Sequence, residues 1–145
     1  MKIKFALDDG AFEPTKAHDV DAGFDLRIPT TQKVLRVGGN QSLIVDTGVH
    51  LNIPPNYVGM VKSKSGLFTK YGLFVTGVVD SGYDGSIVIC IVNTTLNSYM
   101  FEKGDKIAQI VIMPIPIVEM QLVDSIDRFE VFSSRGSNGF GSSGR

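Results

Sequence analysis

Ile87-Val88-Ile89-Cys90-Ile91-Val92 decides how the rest of the chain is read. Its side chains are apolar throughout and mostly branched at Cβ, which favours a pleated backbone, and the run is too short for an ordinary helix. An unbroken apolar run leaves neither face of a strand to water. Both faces are therefore expected to be covered, by a second sheet or by another subunit. Ile107 through Met113 reads the same way. Elsewhere the pattern alternates: Ile3, Phe5 and Leu7 against Lys2 and Lys4, then Val49, Leu51 and Ile53, then Val118, Met120 and Leu122. Those are expected to be half-buried strands. With 16 Gly and 6 Pro closing the segments at short intervals, the expected class is all-β, a sandwich or jelly-roll-like barrel.

One segment reads as helix: Ser65-Gly66-Leu67-Phe68-Thr69-Lys70-Tyr71, with a serine as N-cap, Lys70 in the last turn and Gly72 as the stop. The 145 residues suit one domain. Its body is expected over 1–132, followed by a flexible Gly/Ser-rich arm over 133–145. Lys+Arg 14 against Asp+Glu 15, with no basic run, excludes a nucleic-acid surface. Nothing approaches an export signal or a membrane span, so no membrane partner and a cytoplasmic location are expected. The single cysteine, Cys90, excludes an intrachain disulfide and a Cys-rich zinc site, and its apolar run assigns it to the core.

Four segments carry candidate chemistry. In the arm, Gly139-x-Gly141-x-x-Gly144 matches a dinucleotide fingerprint only on paper, because no helix follows it. Its glycines still admit close approach to an anion, Arg135 offers a planar fork to phosphate and Phe140 a stacking face. A disordered tail explains the same composition. Lys62-Ser63-Lys64-Ser65-Gly66-Leu67 opens the helix and suits an anion, or a plain cap. Asp25, and Asp80 after Val78-Val79, are carboxylates in strand-end contexts, and Asp80 is placed to hold a water as general base. Turn chemistry accounts for Asp80 equally well. Finally, Gly104-Asp105-Lys106-Ile107-Ala108-Gln109-Ile110 puts Gln109 in apolar company on a strand. His18 and His50 lie far in sequence from metal-ligating partners.

Taken in order, AGFDL, KSGL, GVVDSGYDG, GDKIAQI and RGSNGFGSSG resemble the motifs of the homotrimeric dUTPase family, over residues 22 to 144. The resemblance implies a jelly-roll-like β barrel, a homotrimer with shared active sites, and hydrolysis of dUTP to dUMP and pyrophosphate. Such an enzyme limits uracil incorporation into DNA and supplies dUMP for dTMP synthesis. It also implies Mg²⁺, held by Asp25 through water, and a phosphate segment at Lys64, Ser65 and Gly66, where the family usually has arginine at position 64. Asp80 is then the catalytic base and Tyr83 the ring against which deoxyribose packs. Val78, Val79 and Val88 belong to the hairpin that reads uracil, Gln109 lies near the phosphates, and Arg135, Phe140, Gly141 and Ser142 belong to the closing arm. Asn138 stands where glycine is frequent. The competing readings are a dCTP deaminase of the same fold and a nucleotide-binding regulator acting on a protein partner.

Overall fold

The computed structural model describes residues 1–130. Eleven strands account for most of the regular structure: β1 Lys4–Leu7, β2 Gly23–Arg27, β3 Leu35–Val37, β4 Ser42–Asp46, β5 Val49–Asn52, β6 Tyr57–Lys62, β7 Leu73–Phe74, β8 Thr76–Val79, β9 Val88–Asn93, β10 Tyr99–Phe101 and β11 Lys106–Pro114. One helix, α1 Ser65–Tyr71, and a single 3₁₀ turn at Ile126–Arg128 complete them. The all-β class holds. The strands form four sheets, ordered β2-β11-β6-β8, β4-β9-β7, β1-β5 and β10-β3, and they do not close into one continuous barrel. Every named strand pairing is antiparallel.

Between the sheets lies one core in which Leu26, Ile28, Val45, Ile89, Phe101 and Ile110 are essentially inaccessible. The long strand β11 is central because it pairs with β2 on one side and with β6 on the other. Val49, Leu51 and Ile53 are buried, as their alternation requires.

Among the described residues of the single chain one face of β9 has no second sheet over it, and three expectations fail: Cys90 in the core, a half-buried β1, and a strand over Val118, Met120 and Leu122. In β9 the alternation of the pleat buries Ile89 and Ile91 but turns Val88, Cys90 and Val92 outward, so the apolar run is covered on one face only. Cys90 is exposed rather than core. Ile44 and Phe74, the cross-strand partners of Cys90 and Val92, extend the same uncovered face. β1 forms, but it pairs only with β5 and remains exposed throughout. Val118, Met120 and Leu122 form no strand and are exposed: the segment pairs with none of the described strands, so its apolar side chains have nothing among the described residues to pack against.

The helix has the expected bounds but a different start. Lys64 is the N-cap, extended at φ −73° and ψ 132°, and no side chain caps the helix; Ser65 is already its first residue. Gly72 ends it in the left-handed conformation at φ 63°, its N–H bonded to the Phe68 carbonyl at 2.9 Å. A Cβ there would approach Thr95 Cγ2 to 2.5 Å and Thr94 Oγ1 to 2.8 Å. Gly72→Ala is therefore expected to destabilise the protein by about 1–3 kcal/mol, read as a lower urea midpoint with an unchanged m-value.

Candidate active site

Two groups of candidate residues are assembled on the four-stranded sheet. Direct cross-strand register places Asp25 on β2 opposite Gln109 on β11, Gln109 opposite Lys62 on β6, and Lys62 opposite Thr76 on β8. Directly opposed residues share a face, so this row crosses the sheet on the side away from the core. Gln109 is thus in polar company, contrary to the simple alternation. The cause is a β-bulge between Lys106 and Ala108, which buries Ile107 and Ala108 in succession and resets the faces. The Gln109 amide donates to the Ser63 carbonyl at 3.2 Å.

The same bulge brings Lys106 to Asp25, with Nζ 2.6 Å from Oδ2, while Lys64 bonds Oδ1. Asp25 is buried and its two cations are partly exposed. Burial alone would raise the carboxyl pKa, but hydrogen bonds from Lys106 and Lys64, with their charges, outweigh it and hold Asp25 below the usual carboxylate range. Two ammonium groups against one carboxylate leave this corner net positive. Ser65 and Gly66 adjoin it where α1 begins without a side-chain cap, so the first helical N–H groups remain available to an anion. Lys106 is the member that sequence reasoning missed. Its motif signalled it, but only the bulge aims it at Asp25.

The second group lies at the other end of β8. Val78, Val79, Asp80, Tyr83 and Val88, together with Ser86 and Ile87, line a small cavity of about 190 Å³. The segment between β8 and β9 is not a paired hairpin: β8 pairs with β6, and β9 with β4 and β7, so Asp80–Ile87 is a loop that crosses from one sheet to another. Strand β5 and the residues flanking it hold the loop. Ser81 Oγ donates to the Ile53 carbonyl at 3.0 Å, Ile87 N–H to the Val49 carbonyl at 2.8 Å, and buried Thr47 Oγ1 to the Ile87 carbonyl at 2.8 Å. Tyr83 turns its hydroxyl to the Ser86 carbonyl at 3.0 Å, leaving its ring half exposed.

Within one chain the two groups stay apart. Lys62 pairs with Thr76 at one end of β6–β8, and Gly59 pairs with Val79, next to Asp80, at the other. At roughly 3.3 Å per residue this separates the cationic corner from Asp80 by about 13 Å along the strands. Arg135, Asn138, Phe140, Gly141 and Ser142 lie outside the described residues. Among the described residues, no cluster of three or more His, Cys, Asp or Glu side chains forms a metal cage, and no helix is long and apolar enough to cross a membrane.

A strand-built domain with a cationic corner, and a separate pocket where Asp80 stands beside the Tyr83 ring, has the chemistry of a class that binds phosphorylated small molecules. A family model described as dUTPase matches residues 11–144. The deoxyuridine 5'-triphosphate nucleotidohydrolase of Clostridium acetobutylicum is 37% identical over 147 residues, covering 99% of this chain and 96% of that protein. Its counterpart from Nocardia farcinica is 38% identical over 142 residues, covering 95% and 82%. Among solved structures, the Staphylococcus bacteriophage 80alpha dUTPase with dUPNHPP superimposes with a TM-score of 0.87 at 32% identity, covering 99% of each chain. A point mutant of the dUTPase from phage phi11 of S. aureus, described with a structural Mg(II) ion, gives 0.78 at 26% identity, covering 88% and 99%. The chain belongs to the dUTPase family.

Asp25 has a sign-definite consequence for acid stability. Because its folded pKa is lowered, its contribution is present above the unfolded carboxylate value of about 3.9 and is lost as pH falls through the folded value. Asp25→Asn should reduce stability at pH 7 by roughly 1–3 kcal/mol, discounted for the partly exposed lysines. It should also flatten the wild-type loss below about pH 4 in a pH series of urea titrations.

Proposed function

We infer that this dUTP nucleotidohydrolase releases pyrophosphate and dUMP from dUTP by attack of an Asp80-activated water on the α-phosphorus. Family membership supports the substrate and the reaction. The observation that carries the mechanism is the division of labour just described: cations at one end of the sheet, a carboxylate beside an aromatic-lined cavity at the other. Asp80 is exposed at the mouth of that cavity, where a carboxylate can accept a proton from water. Tyr83 presents its ring to deoxyribose and leaves no space for a 2'-hydroxyl. The backbone around Val78, Val79 and Val88 reads uracil in a pocket too tight for the thymine methyl.

The cationic corner takes the triphosphate. Lys64 and Lys106 neutralise it, the Ser65 hydroxyl and the amides at Ser65 and Gly66 donate hydrogen bonds to its oxygens, and Gln109 stands on the same sheet face. Lysine at position 64 supplies charge without the planar fork of arginine, so the grip is electrostatic rather than bidentate. Asp25 fits Mg²⁺ only through water: both its oxygens already accept from lysines, each retains a further lone pair, and Mg²⁺ keeps most of its waters when it accompanies a phosphate chain. When bound, the ion neutralises phosphate charge and polarises the reacting phosphoryl group. Over the site closes the arm 133–145, with Arg135 toward the γ-phosphate and Phe140 on uracil, and with Gly141 and Ser142 also contributing to substrate binding.

A homotrimer with shared sites accommodates the roughly 13 Å gap, since the corner of one copy can face the Asp80 pocket of another. Two features support association. Ile44, Val88, Cys90, Val92 and Phe74 form an uncovered apolar sheet face, and the exposed alternating segment Val118, Met120, Leu122 pairs with none of the described strands. A dCTP deaminase is not favoured: the Asp80–Ile87 loop holds no glutamate to shuttle protons, and the family match is to dUTPase. By consuming dUTP the enzyme limits uracil incorporation into DNA, and its product supplies dUMP for dTMP synthesis.

Product analysis of dUTP, dCTP, dTTP and UTP digests should show dUMP and pyrophosphate from dUTP alone; dUTP appearing as the product of dCTP would promote the deaminase. Asp80→Asn should reduce kcat by at least about 10³-fold while leaving the Kd for a non-cleavable dUTP analogue within roughly threefold. Removing residues 134–145 should abolish turnover yet leave the light-scattering mass that of three chains.

A further inference from the structure

The loop that carries Asp80 and Tyr83 has a fourth tether, and it is the titratable one. His50, on β5, places Nδ1 2.8 Å from the Asp84 carbonyl and Nε2 3.1 Å from Asp8 Oδ1. A carbonyl oxygen and an ionised carboxylate are both acceptors only. A neutral imidazole has one N–H and can satisfy one of them; the imidazolium has two and satisfies both. The remaining tethers of the loop, through Ser81, Thr47 and the Ile87 amide, involve no group that titrates near neutrality.

We propose that His50 is a positioning residue for the catalytic loop: as the imidazolium it clamps the Asp84 carbonyl and the Asp8 carboxylate together, and loss of its proton loosens the loop and weakens nucleotide binding. This rests on the dUTPase reading of Asp80 and Tyr83. The charged groups around the ring come from each neighbouring element: Asp8 just after β1, Lys4 on the same face of β1, Asp84 from the loop and Asp46 at the end of β4. Acidic groups predominate in this set. The hydrogen bond to the Asp84 carbonyl, then that to Asp8, raises the His50 pKa above that of a free imidazole. The clamp is accordingly complete below the ordinary histidine value of about 6.5 and is lost as pH rises through the raised one. The tether also fixes one wall of a cavity of about 490 Å³ between Phe5, Leu7, Leu51 and Tyr83, so a released loop has space to move into.

The test begins with the wild-type protein and needs no catalysis. His18 is the only other histidine, and His18→Gln leaves a single imidazole to follow by NMR. Its titration midpoint should lie above that of free histidine, the backbone amides of residues 82–86 should shift with the same midpoint, and Asp8→Asn should lower that midpoint. In steady-state kinetics the KM for dUTP should rise about fivefold across the midpoint, the effect of one lost hydrogen bond, with kcat steady; His50→Gln should hold the high KM at every pH. Amides 82–86 that stay still while the imidazole titrates, or a His50→Gln enzyme with the wild-type KM profile, would overturn the proposal. Failure of the wild type to hydrolyse dUTP, with the amide titration intact, would overturn the functional reading of the loop and leave the clamp standing.

Discussion

A buried carboxylate cannot remain charged without cations, and in this fold one such requirement organises the phosphate end of the molecule. Asp25 draws Lys64 from the start of the helix and Lys106 from the start of β11. Three elements distant in sequence are thereby fixed at one corner, and the same contacts set out two ammonium groups in advance of any phosphate. Desolvating Asp25 costs stability, and what is gained is a corner whose charges are already oriented. In the proposed function a nucleotide arriving there meets preorganised donors rather than mobile side chains, the condition under which electrostatic stabilisation is most effective.

The opposite end of the sheet is built on a different principle. Asp80 and Tyr83 sit on a crossing loop and not on a strand, and loops are held by few bonds. Here the strand beneath compensates, with tethers at both ends of the loop and one near its middle. A site of this kind combines a rigid charged corner with a reading loop that retains some freedom. The freedom suits a pocket that must admit a base, reject close analogues and release a product.

Strand content, the helix and its Gly72 stop, and the order of the motifs were legible in the sequence because each depends on local chemistry: branched side chains, a left-handed terminus, glycine-bounded turns. The Lys106 contact was not, because a single bulge shifts Lys106 and Gln109 onto one face, and strict alternation has no sign for it. Cys90 was misplaced for a related reason. An apolar run shows that a surface avoids water but not which body covers it, and within this chain the outward half of β9 has no cover among the described residues. Likewise Val118, Met120 and Leu122 have the period of a strand but pair with none of the described strands, and period alone does not show which strand would accept them. The role of His50 was invisible to spacing arguments, since its partners Asp8 and Asp84 meet it only through tertiary structure.

Under the proposed trimer, the open sheet face formed by Ile44, Val88, Cys90, Val92 and Phe74 ties the fate of each molecule to its abundance. A newly synthesised chain presents a greasy flank that water tolerates poorly, and the proposed association of copies would remove that flank from solvent. Were association through this face required for activity, as the proposed trimer entails, the active fraction would climb more steeply than the number of chains, and gene dosage would act as a throttle.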